Sequence, residues 1–271
     1  MQLGRTRQPM CRFLAYRGSP VFLEELVAAP AHSLIHQSLH AEEAKTGTNG
    51  DGFGIGWYGA RAEPGVYREL HPAWSDENLL SLCRQVSSPL FFAHVRAATG
   101  TATTRANCHP FTHGPWMFMH NGQIGGYHLL RRKIEAMIMD SHYAARNGTT
   151  DSEAIFLAAL ARGLERDPVS AMASVLSEIV GMMKEAQVIE PLRFTAALTN
   201  GEDLYAFRWA SDTKPATLYA REDDKGIVIV SEPLDHTKAN WQEVPRTCAL
   251  VAKRGEKTTM RCMDEAMAMA A

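Results

Sequence analysis

The chain has 271 residues, of which 45% are hydrophobic and 21% are charged, a balance typical of a globular protein that buries a sizeable core. Lys and Arg number 28 against 30 Asp and Glu, so the basic excess of a nucleic-acid-binding protein is missing. No apolar run reaches the about 18–20 residues that a membrane-spanning helix needs. We therefore expect a cytoplasmic protein that acts on a small molecule and has neither a nucleic-acid nor a membrane partner.

The first ten residues, MQLGRTRQPM, form a polar segment without the apolar stretch of a secretory signal. The segment is interpreted either as a polar tail or as an extension that is removed or not translated. The second interpretation would leave Cys11 as the first residue. The five cysteines show no CxxC pair, which favours neither a disulfide framework nor a zinc ribbon; they are Cys11, Cys83, Cys108, Cys248 and Cys262.

The first half of the chain is predicted to contain short strands separated by turns rich in glycine and proline. A strand over Arg12–Arg17 comes first, and Ser19 and Pro20 then have the residue types that begin a helix, here ending at Val27. Residues 46–52, TGTNGDG, predict a turn. Apolar and aromatic runs predict three further strands, Phe53–Tyr58, Leu90–Val95 and Trp116–His120.

The second half changes from helical to strand periodicity. Apolar residues recur at helical spacing around Leu130, after Asp151 and around Leu176, and they predict three helices. Strands are predicted after Pro191, at Phe194–Thr199, Leu204–Trp209, Thr217–Ala220, Ile227–Ser231 and Thr247–Ala252. Strands, then helices, then strands favour the α+β class. We expect one domain over residues 11–265 and a frayed end over residues 266–271.

Cys11 directly follows a methionine, and this placement makes it a candidate nucleophile. A cysteine attacks as the thiolate, and a neighbouring amine can take its proton. If Cys11 is the first residue, its own α-amine, with an unperturbed pKa of about 7.7–8.0, is a base of suitable strength. The alternative is an inert core cysteine beside a strand.

Two further clusters combine a strand end with polar groups. In FFAHVRAATG (91–100), Arg96 follows the strand, and its planar guanidinium suits a carboxylate, although a surface arginine is the alternative. In MHNG (119–122), the Asn121 amide and the Gly122 N–H can together stabilise an oxyanion. Asn-Gly is also the commonest hairpin turn, so a plain turn remains the alternative there.

The segment GTTDSE (148–153) lies immediately before an apolar helical run. Thr150 and Glu153 fit a capping box, in which Asp151 only favours the positive end of the helix. The functional interpretation gives the Asp151 carboxylate a substrate ammonium group to bind, and both interpretations can hold together. A metal site is not expected, because no standard zinc spacing fits the candidate ligands Cys108, His109, His113 and His120.

Taken in order, the Met-Cys start, NGDGFG, AHVRAATG, HNG and TDSE resemble the motifs of the class II glutamine amidotransferases, which are N-terminal-nucleophile hydrolases. The resemblance extends from Cys11 to about Pro233 and includes SEPL (231–234). MCRFLAYRG and HSLIHQS (32–38) are most similar to the free-standing branch. That branch contains the γ-glutamyl amidohydrolases of the ergothioneine pathway and the glutathione-degrading amidotransferase-like subunits.

The resemblance implies a four-layer αββα sandwich of two mainly antiparallel sheets flanked by helices. It implies that the glycine turn at 50–54 packs near the site and that residues 97–110 close over the substrate. The implied reaction is hydrolysis of a γ-glutamyl amide through a thioester on Cys11, with glutamate and ammonia or an amine as products. No cofactor is implied.

The resemblance also implies a role for each motif residue. Arg96, with Thr99 alongside, would bind the α-carboxylate of the glutamyl group. Asp151 and the Gly122 carbonyl would bind its α-amino group, and Asn121 with the Gly122 N–H would form the oxyanion hole. The substrate would be glutamine or another γ-glutamyl small molecule.

Ten residues precede Cys11, whereas the family's nucleophile is the first residue. An amide nitrogen in place of the amine has no basic lone pair, so we expect these residues to be absent from the active protein. Three possibilities stay open: a stand-alone γ-glutamyl amidohydrolase, a glutaminase subunit that passes ammonia or product to a separate synthase or peptidase, and a non-catalytic γ-glutamyl-binding regulatory module with a blocked N-terminus.

Overall fold

The computed structural model describes residues 11–40, 48–97 and 102–270, apart from the side chain of Lys238. Two antiparallel sheets lie face to face, and helices cover the outer face of each. The order of layers is therefore αββα, and the predicted α+β sandwich is confirmed.

The described residues form strands β1 Arg12–Phe22, β2 Phe53–Trp57, β3 Gly65–Glu69, β4 Ser87–Val95, β5 Phe111–His113, β6 Trp116–Gln123, β7 Arg193–Thr199, β8 Leu204–Ala210, β9 Tyr219–Glu222, β10 Gly226–Val230, β11 Gln242–Glu243, β12 Cys248–Ala252 and β13 Thr259–Cys262. The first sheet has the strand order β11-β9-β10-β1-β4-β2-β3, and the second has the order β13-β12-β8-β7-β6-β5. All pairs within both sheets are antiparallel.

The helices of the same part of the chain are α1 Glu24–Val27, α2 Leu34–Leu39, α3 Glu77–Gln85, α4 Tyr127–Glu135, α5 Asp140–Tyr143, α6 Asp151–Leu160, α7 Pro168–Glu185 and α8 Met263–Ala270. The three helices predicted from periodicity correspond to α4, α6 and α7. Within residues 11–40, 48–97 and 102–270, no helix combines the length and the apolar character that crossing a bilayer requires.

Three apolar cores fill the three spaces between the four layers. Alternate residues of β1 belong to different cores, because successive side chains of a strand point to opposite faces. Phe13 and Ala15 pack in the core between the two sheets. Leu14 and Tyr16 pack on the other face, in the core that includes residues of α1 to α3. The third and largest core lies between the second sheet and helices α4, α6, α7 and α8.

The predicted helix start at Ser19 is wrong, since β1 continues through Phe22, although the short helix α1 does end at Val27 as predicted. Val21 pairs with Ser88 and Phe22 with Ser87 after a shift of register that follows Arg17. The local helix-start signal of Ser19 and Pro20 is outweighed here by backbone pairing with a segment far away in sequence.

The last described residues, including 266–270 of the segment expected to be frayed, lie in α8. Met263 and Ala266 are buried in the core of the second sheet, and the helix continues through Ala270. Packing on α7 and β12 therefore orders a segment whose composition alone gave no such indication.

The core between the second sheet and its helices contains stacked aromatic side chains, and their contribution to stability can be tested. The Phe118 and Phe156 rings lie 5.4 Å apart at an interplanar angle of 6°, and both residues are fully buried. We expect Phe156→Ala to lower the free energy of unfolding by about 3–5 kcal/mol, because a large cavity remains. Urea unfolding measures this loss. Phe22→Ala, at a residue that is 48% exposed, is the matched control, and equal losses in the two variants would contradict the assignment.

Candidate active site

One pocket of about 370 Å³ brings together residues that lie far apart in sequence. Cys11, Arg96, Gly122 and Asp151 line it, and they come from the start of β1, the end of β4, β6 and the start of α6. These are four of the six residues predicted for the site. Asn121 lies beside Gly122 on β6, whereas Thr99 lies outside the described residues.

Cys11 immediately precedes β1, which lies in the first sheet between β10 and β4. Its Sγ accepts a hydrogen bond from the Ala97 N–H at 3.4 Å and lies 3.6 Å from the Ala97 carbonyl oxygen. Burial raises the pKa of the Cys11 thiol, although the Ala97 N–H and the positive charges of Arg96 and Arg12 act in the opposite direction. The thiol thus needs a base to become an effective nucleophile.

A buried charged network holds the backbone at Cys11. The Arg12 Nε donates to Glu232 Oε2 at 3.0 Å, and the Arg12 Nη1 donates to the Cys11 carbonyl at 3.0 Å. His32 Nε2 lies 3.0 Å from the other Glu232 oxygen. The Gln37 amide donates to the carbonyls of His32, at 2.9 Å, and Glu232, at 3.2 Å. The network joins the segments HSLIHQS and SEPL, for which the sequence gave a resemblance but no role.

Arg96 is buried at the wall of the pocket, so the alternative of a surface arginine is wrong. Its guanidinium donates to the carbonyls of Ala102 at 3.2 Å and Asp51 at 3.5 Å. Its backbone N–H donates to Gly52 at 2.8 Å, and its carbonyl accepts from Asp51 at 3.1 Å. The glycine turn at 50–54 therefore supports Arg96. A Cβ at Gly52, whose φ is +105°, would lie 2.9 Å from the Cys108 Sγ.

Asn121 and Gly122 lie within β6, opposite Thr195 and Phe194 of β7, so the interpretation as a hairpin turn is wrong. Strand β5 pairs only with the first three residues of β6, so Asn121 and Gly122 lie beyond the paired edge. The Asn121 Nδ2 is buried and has no hydrogen-bond partner among the residues the structure describes. A buried donor without a partner is rare, and it leaves this amide able to bind a ligand oxygen.

Asp151 is the first residue of α6, and its carboxylate is held by two backbone donors. Oδ2 accepts from the Ile124 N–H at 2.8 Å, and Oδ1 accepts from the Ser152 N–H at 2.8 Å. Thr150 caps the helix by accepting from the Glu153 N–H at 3.2 Å. The predicted helix start and the placement of Asp151 at the pocket therefore coexist.

Glu153 and Asn107 hold the loop before α6 through contacts that the sequence did not indicate. The Glu153 carboxylate accepts from the N–H groups of Asn147 at 2.9 Å and Gly148 at 2.7 Å, so it serves the preceding loop. The buried Asn107 accepts from the Thr149 N–H at 2.7 Å. Asn107 thus joins this loop to the segment that follows Arg96. The sequence around Asn107, NCHP, gives no indication of such a contact.

Three buried histidines lie beside the pocket. The rings of His94 and His109 stand 4.2 Å apart, and His120 binds the Ser152 hydroxyl through Nδ1 at 2.9 Å. Burial lowers the pKa of His94 to about 3, and burial likewise lowers the pKa of His109 and of His120. All three imidazoles are therefore neutral at neutral pH.

Two of the candidate metal ligands, Cys108 and His113, make contacts with other groups. Cys108 Sγ lies against the carbonyls of Glu69, at 3.7 Å, and Thr104, at 3.6 Å, and the His113 ring packs on His142. In the described ranges, no group of three or more His, Cys, Asp or Glu side chains has an arrangement that could hold a metal ion.

Comparison with known proteins identifies the family to which a chain with this layered fold and this pocket belongs. The family model of the class II glutamine amidotransferases matches residues 24–219, and the chain belongs to this family. The resemblance seen in the sequence is thereby confirmed. The chain is an enzyme of the class II glutamine amidotransferase and γ-glutamyl amidohydrolase type.

The similar proteins include enzymes from a yeast and from mycobacteria. The chain is 32% identical to the probable glutamine amidotransferase DUG3 of Saccharomyces cerevisiae, over 90% of this chain and 82% of that protein. It is 30% identical to the γ-glutamyl-hercynylcysteine sulfoxide hydrolase of Mycobacterium tuberculosis, over 95% and 98% of the two chains. A solved glutamine aminotransferase class-II domain protein from Silicibacter pomeroyi is 37% identical with a TM-score of 0.75, covering 93% of this chain and 99% of that one.

The buried histidines predict a loss of stability in acid. In the unfolded chain each imidazole titrates near pH 6.5, whereas the folded pKa of His94 is about 3 and those of His109 and His120 are lowered. Below pH 6.5 the unfolded state binds protons that the folded state does not. The free energy of unfolding therefore decreases as the pH falls from 6.5 toward 3, by up to about 1.4 kcal/mol per pH unit for His94. The lowered pKa values of His109 and His120 act in the same direction.

Urea unfolding at pH 7.5, 6.0 and 5.0 measures this dependence. His94→Gln should make the free energy of unfolding less sensitive to pH between 6.5 and 5.0, because its share of the proton uptake is lost. The exposed His128 is the control, and His128→Gln should keep the wild-type dependence. An unchanged slope in His94→Gln would contradict the assignment.

Proposed function

We propose that the protein hydrolyses the γ-glutamyl amide bond of glutamine or of a γ-glutamyl compound through a thioester on Cys11. The supporting observation is the single pocket that presents a thiol, a buried cation and a fixed carboxylate, from Cys11, Arg96 and Asp151. A γ-glutamyl group carries an electrophilic carbonyl, an α-carboxylate and an α-ammonium group. These three groups match the thiol, the cation and the carboxylate in chemical type.

The charged groups of the pocket would bind the glutamyl end of the substrate. Arg96 would bind the α-carboxylate, because a guanidinium accommodates a carboxylate in two-point contact. Asp151 and the Gly122 carbonyl would bind the α-ammonium group. Thr99 lies outside the described residues, and its part in binding the glutamyl group stays a prediction from the sequence. This division of charges supports specificity for a free amino acid end over a neutral amide.

The nucleophile requires a base, since burial raises the pKa of the Cys11 thiol. We assign this role to the α-amine of Cys11 in a chain from which residues 1–10 are absent. The amine takes the thiol proton, and Sγ attacks the γ-carbonyl carbon. The tetrahedral oxyanion would be stabilised by the Asn121 Nδ2 and the Gly122 N–H. The intermediate collapses when the amine passes the proton to the leaving nitrogen, which departs as ammonia or an amine.

Water completes the reaction at the thioester. The α-amine of Cys11, neutral again, takes a proton from the attacking water, and the second tetrahedral intermediate collapses with Sγ as the leaving group. Glutamate is released and the thiol regains its proton. The same oxyanion donors act in both halves, and no cofactor takes part in either.

A chain produced with Cys11 as its first residue tests this mechanism. We expect it to release glutamate from glutamine or from γ-glutamyl peptides, and intact mass of the quenched enzyme should show a γ-glutamyl adduct. Cys11→Ala should abolish turnover and the adduct. Turnover by Cys11→Ala would refute the nucleophile, and turnover by a chain whose mass still includes residues 1–10 would refute the α-amine as base.

The same assay separates the two forms of the proposal, a stand-alone amidohydrolase and a glutaminase subunit. Glutamate release by the isolated protein supports a stand-alone amidohydrolase. Release only after addition of a separate synthase or peptidase subunit supports a glutaminase subunit. A correctly folded chain that begins at Cys11 and stays inactive in both conditions would contradict the proposed hydrolysis and support the non-catalytic binding module instead.

Substitution of Asn121 tests the oxyanion hole separately. We expect Asn121→Ala to lower kcat by about 10²–10³-fold with little change in KM, because the donor acts mainly in the transition state. Arg96→Lys is the comparison, since weaker binding of the α-carboxylate should raise KM. Steady-state kinetics measure both variants. A rise in KM without a loss of kcat in Asn121→Ala would contradict the proposed role.

A further inference from the structure

Cys248 and Cys262 face each other across two neighbouring strands. They are direct partners in the antiparallel pair of β12 and β13, so their side chains lie on the same face of the second sheet. The Met263 N–H donates to the Thr247 carbonyl at 2.7 Å, which makes Thr247 and Met263 a hydrogen-bonded pair. Because such pairs alternate along a ladder, Cys248 and Cys262 occupy a non-hydrogen-bonded position.

This position has the geometry that a disulfide needs. In a non-hydrogen-bonded antiparallel pair the Cα atoms lie about 4.5 Å apart and the side chains approach most closely. Disulfides usually join residues whose Cα atoms lie about 4.4–6.8 Å apart. Cys248 and Cys262 can therefore be joined without a rearrangement of the backbone.

The two cysteines are only partly buried, and Cys248 packs at the margin of the core between the sheets. Both are free and half-buried, whereas Cys83 and Cys108 are buried. Cys262 lies on β13, which is the last strand of its sheet and so has one open edge. Cys248 and Cys262 lie outside the set of residues that line the candidate active site.

We propose that Cys248 and Cys262 are a redox-active dithiol, a modification site that small-molecule disulfides convert into a cross-strand disulfide. One cysteine thiolate attacks a sulfur of the small disulfide, forms a mixed disulfide and releases one small thiolate. The second cysteine thiolate attacks the protein sulfur of that mixed disulfide and releases the other. Two protein thiols are oxidised, one small disulfide is reduced to two thiols, and the two protons pass to them through solvent.

The disulfide would join β12 covalently to β13, the strand that leads into the C-terminal helix α8. It would close the loop between β12 and β13 immediately before α8, whose Met263 is buried in the core of the second sheet. Closing a loop of about 15 residues restricts the unfolded chain, so the oxidised protein should melt about 5–10 °C higher than the reduced protein.

Titration of the full chain with oxidised and reduced glutathione, followed by alkylation and peptide mass mapping, tests the site. We expect a peptide pair cross-linked through Cys248 and Cys262, with the loss of two hydrogen masses, and the higher Tm. Cys248→Ser and Cys262→Ser should each give a glutathione adduct on the remaining cysteine and no rise in Tm. Cys83→Ser is the matched control and should keep the cross-link.

Two results would overturn the proposal. One is a wild-type protein that accumulates glutathione adducts on Cys248 or Cys262 without the cross-link. The other is a protein in which both thiols stay reduced while Cys11 in the same sample is modified. Circular dichroism of each variant shows whether the fold is kept, and mapping of the wild-type chain decides the question even where a variant fails to fold.

Discussion

The buried ion pair of Arg12 and Glu232 holds the backbone that carries Cys11, and the rest of the candidate site is arranged around this thiol. Their side chains are 1% and 2% exposed, and charges so placed are tolerated only when they are paired and hydrogen-bonded. Glu232 follows β10, Arg12 begins β1, and Arg12 also binds the Cys11 carbonyl. The position of the thiol is thus set by a contact between residues 220 positions apart in the sequence. His32 binds the Glu232 carboxylate, and Gln37 of α2 donates to the main-chain carbonyl of Glu232.

The α+β class could be predicted from the sequence because its signals are periodic, whereas the four-layer sandwich was implied by the resemblance to the class II glutamine amidotransferases. Alternating residues place β1 between two cores, and helical spacing identified α4, α6 and α7. The errors arose where non-local pairing decided the structure. Ser19 and Pro20 have the local chemistry of a helix start, yet the backbone there pairs with residues near Ser88. Likewise, Asn121 and Gly122 form part of β6 because β7 offers a partner strand, although the dipeptide favours a turn.

The residues of the candidate site likewise divide into those that the sequence indicated and those whose role depends on distant partners. Side chains with distinctive chemistry, such as Cys11, Arg96 and Asp151, stood out by type and order, and the structure gathers them at one pocket. The groups that hold them did not stand out, because a buried glutamate or asparagine gains its role only from a distant partner. A sequence also does not reveal where the packing leaves room only for glycine. A Cβ at Gly122 would lie 2.0 Å from the Arg193 carbonyl oxygen, a steric limit that only the packed sheet reveals.

The carboxylate of Asp151 is immobilised before any ligand arrives, since each of its oxygens accepts a backbone N–H. A group fixed in this way loses little side-chain entropy when it binds. The buried Arg96 guanidinium is also held, by two carbonyls, and the thiol is placed by the Cys11 backbone. Three unlike attachment points at fixed positions form a chiral frame. If these three groups bind the substrate as proposed, a molecule and its mirror image could not both satisfy such a frame, and the rigid pocket would distinguish one enantiomer from the other.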